Sequence, residues 1–187
     1  MDGGLPMLPD SGARIGPNAI LQLLPVLDRA LGSDRRNRLL HGIPLPPPDA
    51  GMWPEAACRA AHLAVWQGVP DAASILAEAG QGTADYILTH RIPGPAKWLI
   101  RALPATLGAR LLTAAIARHA WTFAGSGRFR VVAHAPLALE IADNPLGFGG
   151  NWHAAVFERL YQSLVWPRAR VESAVTPSVS RFVIHPR

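Results

Sequence analysis

The sequence predicts an α+β fold, in which an antiparallel β-sheet packs against several helices. Apolar residues recur at helical spacing from Asn18 to about residue 121. After Gly127 the spacing changes to strict alternation, which is the pattern of a half-buried strand. One more helical segment and two short alternating segments follow. Strands and helices therefore do not alternate along the whole chain, as they would in a parallel α/β fold.

The composition is that of a globular protein. The chain has 187 residues, of which 49% are hydrophobic and 17% charged, so one domain can bury a sizeable core. Its 18 prolines and 17 glycines predict many short elements separated by turns. We expect residues 1–13 to form a flexible tail and residues 14–187 to form a single ligand-binding domain.

The first half is predicted to be helical. Asn18 can cap a helix that Pro25 either kinks or shifts to a later start. An extended, proline-rich connector follows from Arg35 to Asp49. Between Pro54 and Leu103 the apolar spacing predicts four short helices, with separate second and third helices around residues 75–79 and 86–90. A longer helix follows over 105–121.

The second half is predicted to contain the sheet. Alternating residues over 128–141 indicate a hairpin that turns near Ala135-Pro136. A loop over 144–150 leads into a helix over 151–165. Two final strands are expected near residues 169–174 and 180–185, on either side of a turn at 176–178.

Charge and cysteine content narrow the possible functions. The net charge is +5, and the arginines are scattered rather than clustered, so we expect no nucleic-acid partner. Cys58 is the single cysteine, which excludes an internal disulfide and a four-cysteine metal site. No signal-peptide pattern or membrane-length apolar run is present. The expected location is the cytoplasm, and attachment to membranes through partner proteins stays open.

Two histidines fall on apolar faces of predicted helices. His119 continues a stripe formed by Leu107, Leu111 and Ala115, and His153 lies on the apolar side of the 151–165 helix. A buried imidazole needs a polar partner, a metal or a ligand. The simpler alternative is a core histidine bonded to a backbone carbonyl.

A family resemblance extends from about Ala13 to Ile184. Four segments carry it: ARIGPNAILQLLPVL, THRIPGPAKWLIRALPATLGARLLTAAIARHAWTFAGSGRF, NPLGFGGNWHAAVFERLYQSLVWPRARVES and RFVI. They resemble the J-protein family of bacteriochlorophyll biosynthesis, the 4-vinyl reductase domain family, whose historical name is 4-vinyl (8-vinyl) protochlorophyllide reductase. The resemblance implies a ligand cavity and a homodimer. It also implies that the protein acts together with the magnesium chelatase large subunit and the Mg-protoporphyrin methyltransferase.

The chain departs from this family at its cysteines. The family usually carries cysteines in the loop after NPL and around the last hairpin, whereas this chain has none over residues 147–151 and 174–180. A zinc or redox role for those cysteines therefore does not transfer to this chain.

The residues favour binding over catalysis. Vinyl reduction needs two electrons and protons from a cofactor, and the chain has neither a glycine-rich dinucleotide fingerprint nor a cysteine cluster. We therefore expect a tetrapyrrole-binding accessory or carrier protein for a Mg-protoporphyrin or protochlorophyllide-type ligand. One alternative is a divinyl protochlorophyllide vinyl reductase, which could bind a flavin without a short motif. The other is a pure protein-interaction module.

The predicted binding site lies between the 105–121 helix, the 128–141 hairpin and the 151–165 helix. A Mg-porphyrin needs an apolar slot, an axial ligand or hydrogen bond, and cations for its propionates. The candidates for the axial ligand or hydrogen bond are His119 and His153. The candidates for the apolar walls of the slot are Trp121, Phe123, Trp152 and Phe157. The candidates for the propionate partners are Arg128, Arg130 and Arg118. In the alternative interpretation the tryptophans are core residues, the arginines form the solvated face of a strand, and water ligates the magnesium. No catalytic residue and no protein metal site is assigned.

Overall fold

The computed structural model describes residues 12–186. The helices are α1 (Asn18–Leu21), α2 (Leu23–Leu31), α3 (Ser33–Leu39), α4 (Glu55–Gly68), α5 (Ala72–His90), α6 (Gly94–Ala102), α7 (Ala105–Arg118), α8 (Trp121–Ala124) and α9 (Asn151–Leu164). The strands are β1 (Arg14–Ile15), β2 (Trp53–Pro54), β3 (Arg128–His134), β4 (Leu137–Ala142), β5 (Arg170–Val175) and β6 (Val179–His185).

The strands β3 to β6 form an antiparallel sheet in the order β3-β4-β6-β5. In the central strand β4, Leu139 pairs with Val131 on one side and with Phe182 on the other. The core-facing side chains of β4 and β6 are buried, whereas β3 and β5 lie at the edges and are more exposed. Burial alternates along β3 and β6, as expected for strands that pack one face on a core.

The helices α5 and α9 pack against each other in the centre of the molecule. Gly80 of α5 allows this close approach, because a Cβ atom at that position would lie 2.3 Å from the backbone oxygen of Trp152. Gly150 has a left-handed backbone (φ +72°) immediately before α9. That conformation suits glycine and directs the chain into α9 at Asn151.

The predicted α+β class is confirmed, as are the hairpin, the 151–164 helix and the last two strands. Three boundaries differ from the prediction. Residues 33–39 are helical, because the prolines that prevent a helix begin only at Pro44. The predicted second and third helices form one helix, α5, because glycines weaken a helix but do not end one that packs closely on a neighbour. The helix α7 ends at Arg118 and does not continue to residue 121.

Some predictions concern residues that the structure does not describe. Residues 1–11 of the predicted tail lie outside the described range, so the division into a tail and a single domain stays a prediction. No helix within residues 12–186 combines the length and the apolar character needed to cross a membrane.

Candidate functional site

A cluster of aromatic rings fills the space in which the sequence placed a ligand. It consists of Phe123, Phe129, His153, Phe157 and Phe182, and we call it the aromatic cluster. The ring centroids of Phe157 and Phe182 are 5.2 Å apart, and those of Phe157 and Phe123 are 5.7 Å apart. These pairs meet edge to face, which is a favourable arrangement for aromatic rings in a core.

His153 is fully buried within this cluster, as the sequence predicted. Its Nε2 lies 3.2 Å from the carbonyl oxygen of Phe123, and Nδ1 lies 3.4 Å from Nδ2 of Asn144. Because a carbonyl oxygen only accepts, the ring holds its proton on Nε2 and accepts from Asn144 on Nδ1. Burial lowers the pKa of His153 to about 3, so the imidazole is neutral. Both ring nitrogens thus have partners, as expected for a structural histidine.

A second buried histidine, His62, lies nearby and was not predicted. Its Nε2 donates to the carbonyl oxygen of Ala19 over 2.9 Å, and burial lowers its pKa to about 4. The indole ring of Trp152 lies between the two histidines, 5.6 Å from His62 and 4.7 Å from His153. Neither Nδ1 of His62 nor Nε1 of Trp152 has a hydrogen-bond partner in the structure.

The sequence did contain a signal for His62. Cys58, Ala61, His62 and Val65 follow the i, i+3, i+4, i+7 spacing of one helix face, and all four are buried. A histidine inside such a pattern belongs to the core in the same way as the residues around it.

The prediction that His119 faces the core is wrong. His119 is the residue that ends α7, and its side chain is exposed. The helix buries its other face, through Leu112, Thr113 and Ile116, so the stripe that includes Leu107 and Leu111 faces solvent. Two apolar faces compete on this helix, and the sequence spacing alone does not identify the one that packs.

A hydrogen bond joins the buried face of α7 to α9. The hydroxyl groups of Thr113 and Tyr161 lie 2.6 Å apart, and Thr113 also donates toward the carbonyl oxygen of Ala109. Burial raises the pKa of Tyr161 to about 12, so its hydroxyl group stays protonated. This polar pair lies in an otherwise apolar interface and fixes the position of α7 on α9.

The predicted propionate partners lie on the outer face of the sheet. Arg128 pairs with Asp143 at 2.8 Å, and Arg130 pairs with Glu140 at 2.8 Å. Phe129 lies between them in sequence and faces the aromatic cluster, so the two arginines face away from it. The two arginines therefore lie on the solvated face of a strand, as the alternative interpretation of the sequence proposed.

The structure thus brings together only part of the predicted site. His153, Phe123 and Phe157 lie in the aromatic cluster, with Trp152 directly beside it. The residues that lie outside the cluster and are exposed are His119, Trp121, Arg118, Arg128 and Arg130. Whether any of these residues binds a ligand stays a prediction.

Two surface depressions involve other residues. One has a volume of about 370 Å³ and is lined by residues that include Arg59, Phe148, Thr176 and Ser180. Another, of about 630 Å³, is lined by Gln162, Pro167, Arg168 and Arg170. Neither contains a predicted ligand-binding residue.

Metal-binding and thiol chemistry have little support in residues 12–186. No group of three or more histidine, cysteine or acidic side chains in this range could hold a metal ion. The Cys58 thiol is buried, and burial together with the nearby Glu55 carboxylate raises its pKa to about 12. A thiol in that environment stays protonated and is a poor nucleophile.

Two curated proteins are similar to this chain over most of its length. The bacteriochlorophyll synthase 23 kDa chain of Rhodobacter capsulatus is 52% identical, and the match covers 100% of this chain and 94% of that protein. The protein of the same description from Cereibacter sphaeroides is 54% identical, over 84% of this chain and 82% of its own length. No protein-family model matches the chain.

Solved structures show where the same fold occurs. An H-NOX protein from K. algicida superposes with a TM-score of 0.59 and 12% identity, covering 92% of this chain and 97% of that one. A second H-NOX structure, described as probing the function of heme distortion, gives a TM-score of 0.56 and 12% identity, with 92% and 95% coverage. At this level of identity the similarity establishes the fold.

Proposed function

The chain belongs to the family of the bacteriochlorophyll synthase 23 kDa chains, and on that basis we propose that it binds a tetrapyrrole intermediate of bacteriochlorophyll synthesis as an accessory or carrier protein. The observation that carries the proposal is the combination of this family with a fold that also occurs in heme proteins. Porphyrin intermediates are flat, apolar and poorly soluble, so a protein that holds them has a clear use in the pathway. The ligand class we propose is a Mg-protoporphyrin or protochlorophyllide-type molecule.

The proposed binding region lies between the aromatic cluster and the helix pair α6–α7. The rings of the cluster are closely packed, so a macrocycle would need α6 and α7 to separate from α9. Ile100 is the one buried residue of α6, whereas α7 buries Leu112 and Ile116 beside the small residues Gly108, Ala109 and Thr113. A helix with as few buried side chains as α6 is among the parts of a fold that open most readily. Movement of α7 would also break the hydrogen bond between Thr113 and Tyr161.

Two histidines are candidates for ligating such a molecule, and they differ in the hydrogen bonds that each would lose. Nε2 of His153 would have to give up its hydrogen bond to the Phe123 carbonyl, which would leave a buried acceptor without a donor. The ring of His119 makes no hydrogen bond within residues 12–186 and lies at the end of α7, two residues from Trp121. Magnesium also accepts oxygen ligands and often keeps water. We therefore propose His119 as the first candidate for axial ligation, and a packing role for His153 beside the ring.

The proposal includes partners that follow from the family. We propose a homodimer that works with the magnesium chelatase large subunit and with the Mg-protoporphyrin methyltransferase. Vinyl reduction by this chain stays an alternative, and so does a pure interaction module. Neither alternative has a specific structural observation in its favour.

The direct test is a titration of the purified protein with Mg-protoporphyrin, followed by absorbance and fluorescence. We expect saturable binding that weakens in a His119→Ala/His153→Gln double variant, because the ligand loses both imidazoles. Glutamine at 153 retains an N–H donor for the Phe123 carbonyl, which protects the fold. A His41→Ala variant is the matched control, since His41 is an exposed histidine outside the proposed region.

Three results would count against parts of this proposal. Absence of saturable binding by the parent protein would refute the carrier function and favour an interaction module. Unchanged affinity in the double variant would refute the assigned site. Conversion of divinyl protochlorophyllide to its ethyl product, with NADPH or reduced ferredoxin added, would establish the reductase.

A further inference from the structure

The charges of this chain are unevenly distributed along the sequence. No aspartate or glutamate occurs between Asp85 and Glu140, whereas that segment contains Arg91, Lys97, Arg101, Arg110, Arg118, Arg128 and Arg130. These seven cations exceed the net charge of +5, so the remainder of the chain has a net charge of −2. The positive charge of the protein is therefore concentrated in the segment that contains α6, α7 and α8.

The same three helices expose large apolar side chains. Trp98 of α6 is 71% exposed and Trp121 of α8 is 59% exposed, while Leu107 and Leu111 of α7 are 47% and 40% exposed. Leu107 and Leu111 lie one turn apart on the exposed face of α7, α6 packs against α7, and Trp121 follows α7 by three residues. We call the exposed side of these three helices the α6–α8 surface. Single exposed apolar residues are ordinary, but a group on consecutive helices is typical of an interaction site.

The cations on these helices have no acidic partners. Lys97, Arg101, Arg110 and Arg118 form no ion pair within 4.0 Å in the described part of the chain. Lys97 and Arg101 instead donate to backbone carbonyl oxygens, those of Leu88 and Ser163. Positive charge that the protein does not neutralise is available to an external anion.

From these observations we infer that the α6–α8 surface binds directly to an anionic lipid bilayer. Tryptophan rings prefer the boundary between headgroups and acyl chains, and leucines can enter the outer acyl region. The four unpaired cations match the negative potential of the lipid headgroups. The exposed leucines and tryptophans lie on the outer sides of helices, which suits a flat bilayer better than an enclosed ligand.

The number of cations on these helices also matches an anionic bilayer better than a tetrapyrrole. A macrocycle with two propionates needs only two cations, whereas α6 and α7 carry four that have no acidic partner among the described residues. The inference is independent of the proposed function, because it concerns the outer side of α6 and α7 and needs no tetrapyrrole. The experiment therefore uses protein and lipid only.

The test is co-sedimentation of the full chain with vesicles of phosphatidylcholine alone or of phosphatidylcholine mixed with phosphatidylglycerol. We expect binding to the mixed vesicles only, with a blue shift of tryptophan emission. An Arg110→Gln/Arg118→Gln variant should bind about 25-fold more weakly, at about fivefold for each arginine near an anionic surface. A Trp98→Ala/Trp121→Ala variant should lose most of the blue shift.

Matched controls identify the surface. An Arg35→Gln/Arg38→Gln variant removes the same charge from exposed arginines of α3, and Trp66→Ala removes an exposed tryptophan of α4. Both should bind like the parent protein. Circular dichroism and thermal unfolding of each variant verify that its fold is intact.

The inference would be overturned by any of three results. The first is absence of binding to the mixed vesicles. The second is equal weakening in the α3 control, which would mean that total charge alone drives adsorption. The third is a dimer in light scattering that dissociates when Trp98 and Trp121 are replaced, since a second copy of the chain would then cover this surface.

Discussion

The two buried histidines predict a steep loss of stability in mild acid. In the folded protein, burial lowers the pKa of His62 to about 4 and that of His153 to about 3. In the unfolded chain both imidazoles have an ordinary pKa near 6.5. Between these values the unfolded state binds protons that the folded state does not bind. Stability is therefore complete above pH 6.5 and is lost as the pH falls toward the folded-state values.

The size of the effect follows from proton linkage. Between pH 7 and pH 5 each histidine lowers the free energy of unfolding by about 2 kcal/mol, so the pair lowers it by about 4 kcal/mol. This is a large share of the roughly 5–15 kcal/mol that stabilises a typical domain.

Urea unfolding at several pH values measures directly how the free energy of unfolding changes with pH. We expect about 2 kcal/mol per pH unit between pH 6 and pH 5 for the parent protein, and about half of that for His153→Gln. His119→Gln removes an exposed imidazole and should leave the slope of the parent protein unchanged. A flat profile above pH 5 in the parent protein, or an unchanged slope in His153→Gln, would refute the reasoning.

Two further predictions concern the packing of α9. Gly80→Ala should lower the free energy of unfolding in urea by about 1–3 kcal/mol, because its Cβ would collide with the backbone of Trp152. Gly82→Ala, where only the Gln22 side chain lies near, is the control, and equal effects at both sites would contradict the argument. Thr113→Val should cost about 1–3 kcal/mol by leaving the buried hydroxyl group of Tyr161 unpaired. The double variant with Tyr161→Phe should cost less than the sum of the two single variants in the same assay, and simple additivity would show that the hydroxyl groups are not coupled.

The buried position of His153 could be predicted from the sequence, whereas that of His119 could not. The helix α9 has one apolar face, so every residue within that face, His153 included, had to point toward the core. The helix α7 has two possible apolar faces, one with Leu107 and Leu111 and one with Leu112 and Ile116. Local spacing treats them alike, and only packing against α9 and the sheet selects the second.

The hydrogen-bond and ion-pair partners of the side chains could not be predicted from the sequence either. Nothing local indicates that the ring of His153 bonds the Phe123 carbonyl and Asn144, because these residues meet only when α8, the loop after β4 and α9 come together. The same applies to the pairing of Arg130 with Glu140 across two strands. The ligand-binding roles assigned from the sequence stay predictions that the proposed titration tests.

The sequence by itself determined the α+β class, the hairpin and the α9 helix, because each follows from the spacing of apolar residues within a short segment. It also determined the family resemblance, the single cysteine and the acid-free segment. Only the tertiary structure decided which face of α7 is buried and whether the space around His153 is open or filled. Both depend on contacts between distant segments, and the free energy of those contacts is not encoded in the periodicity of any one of them.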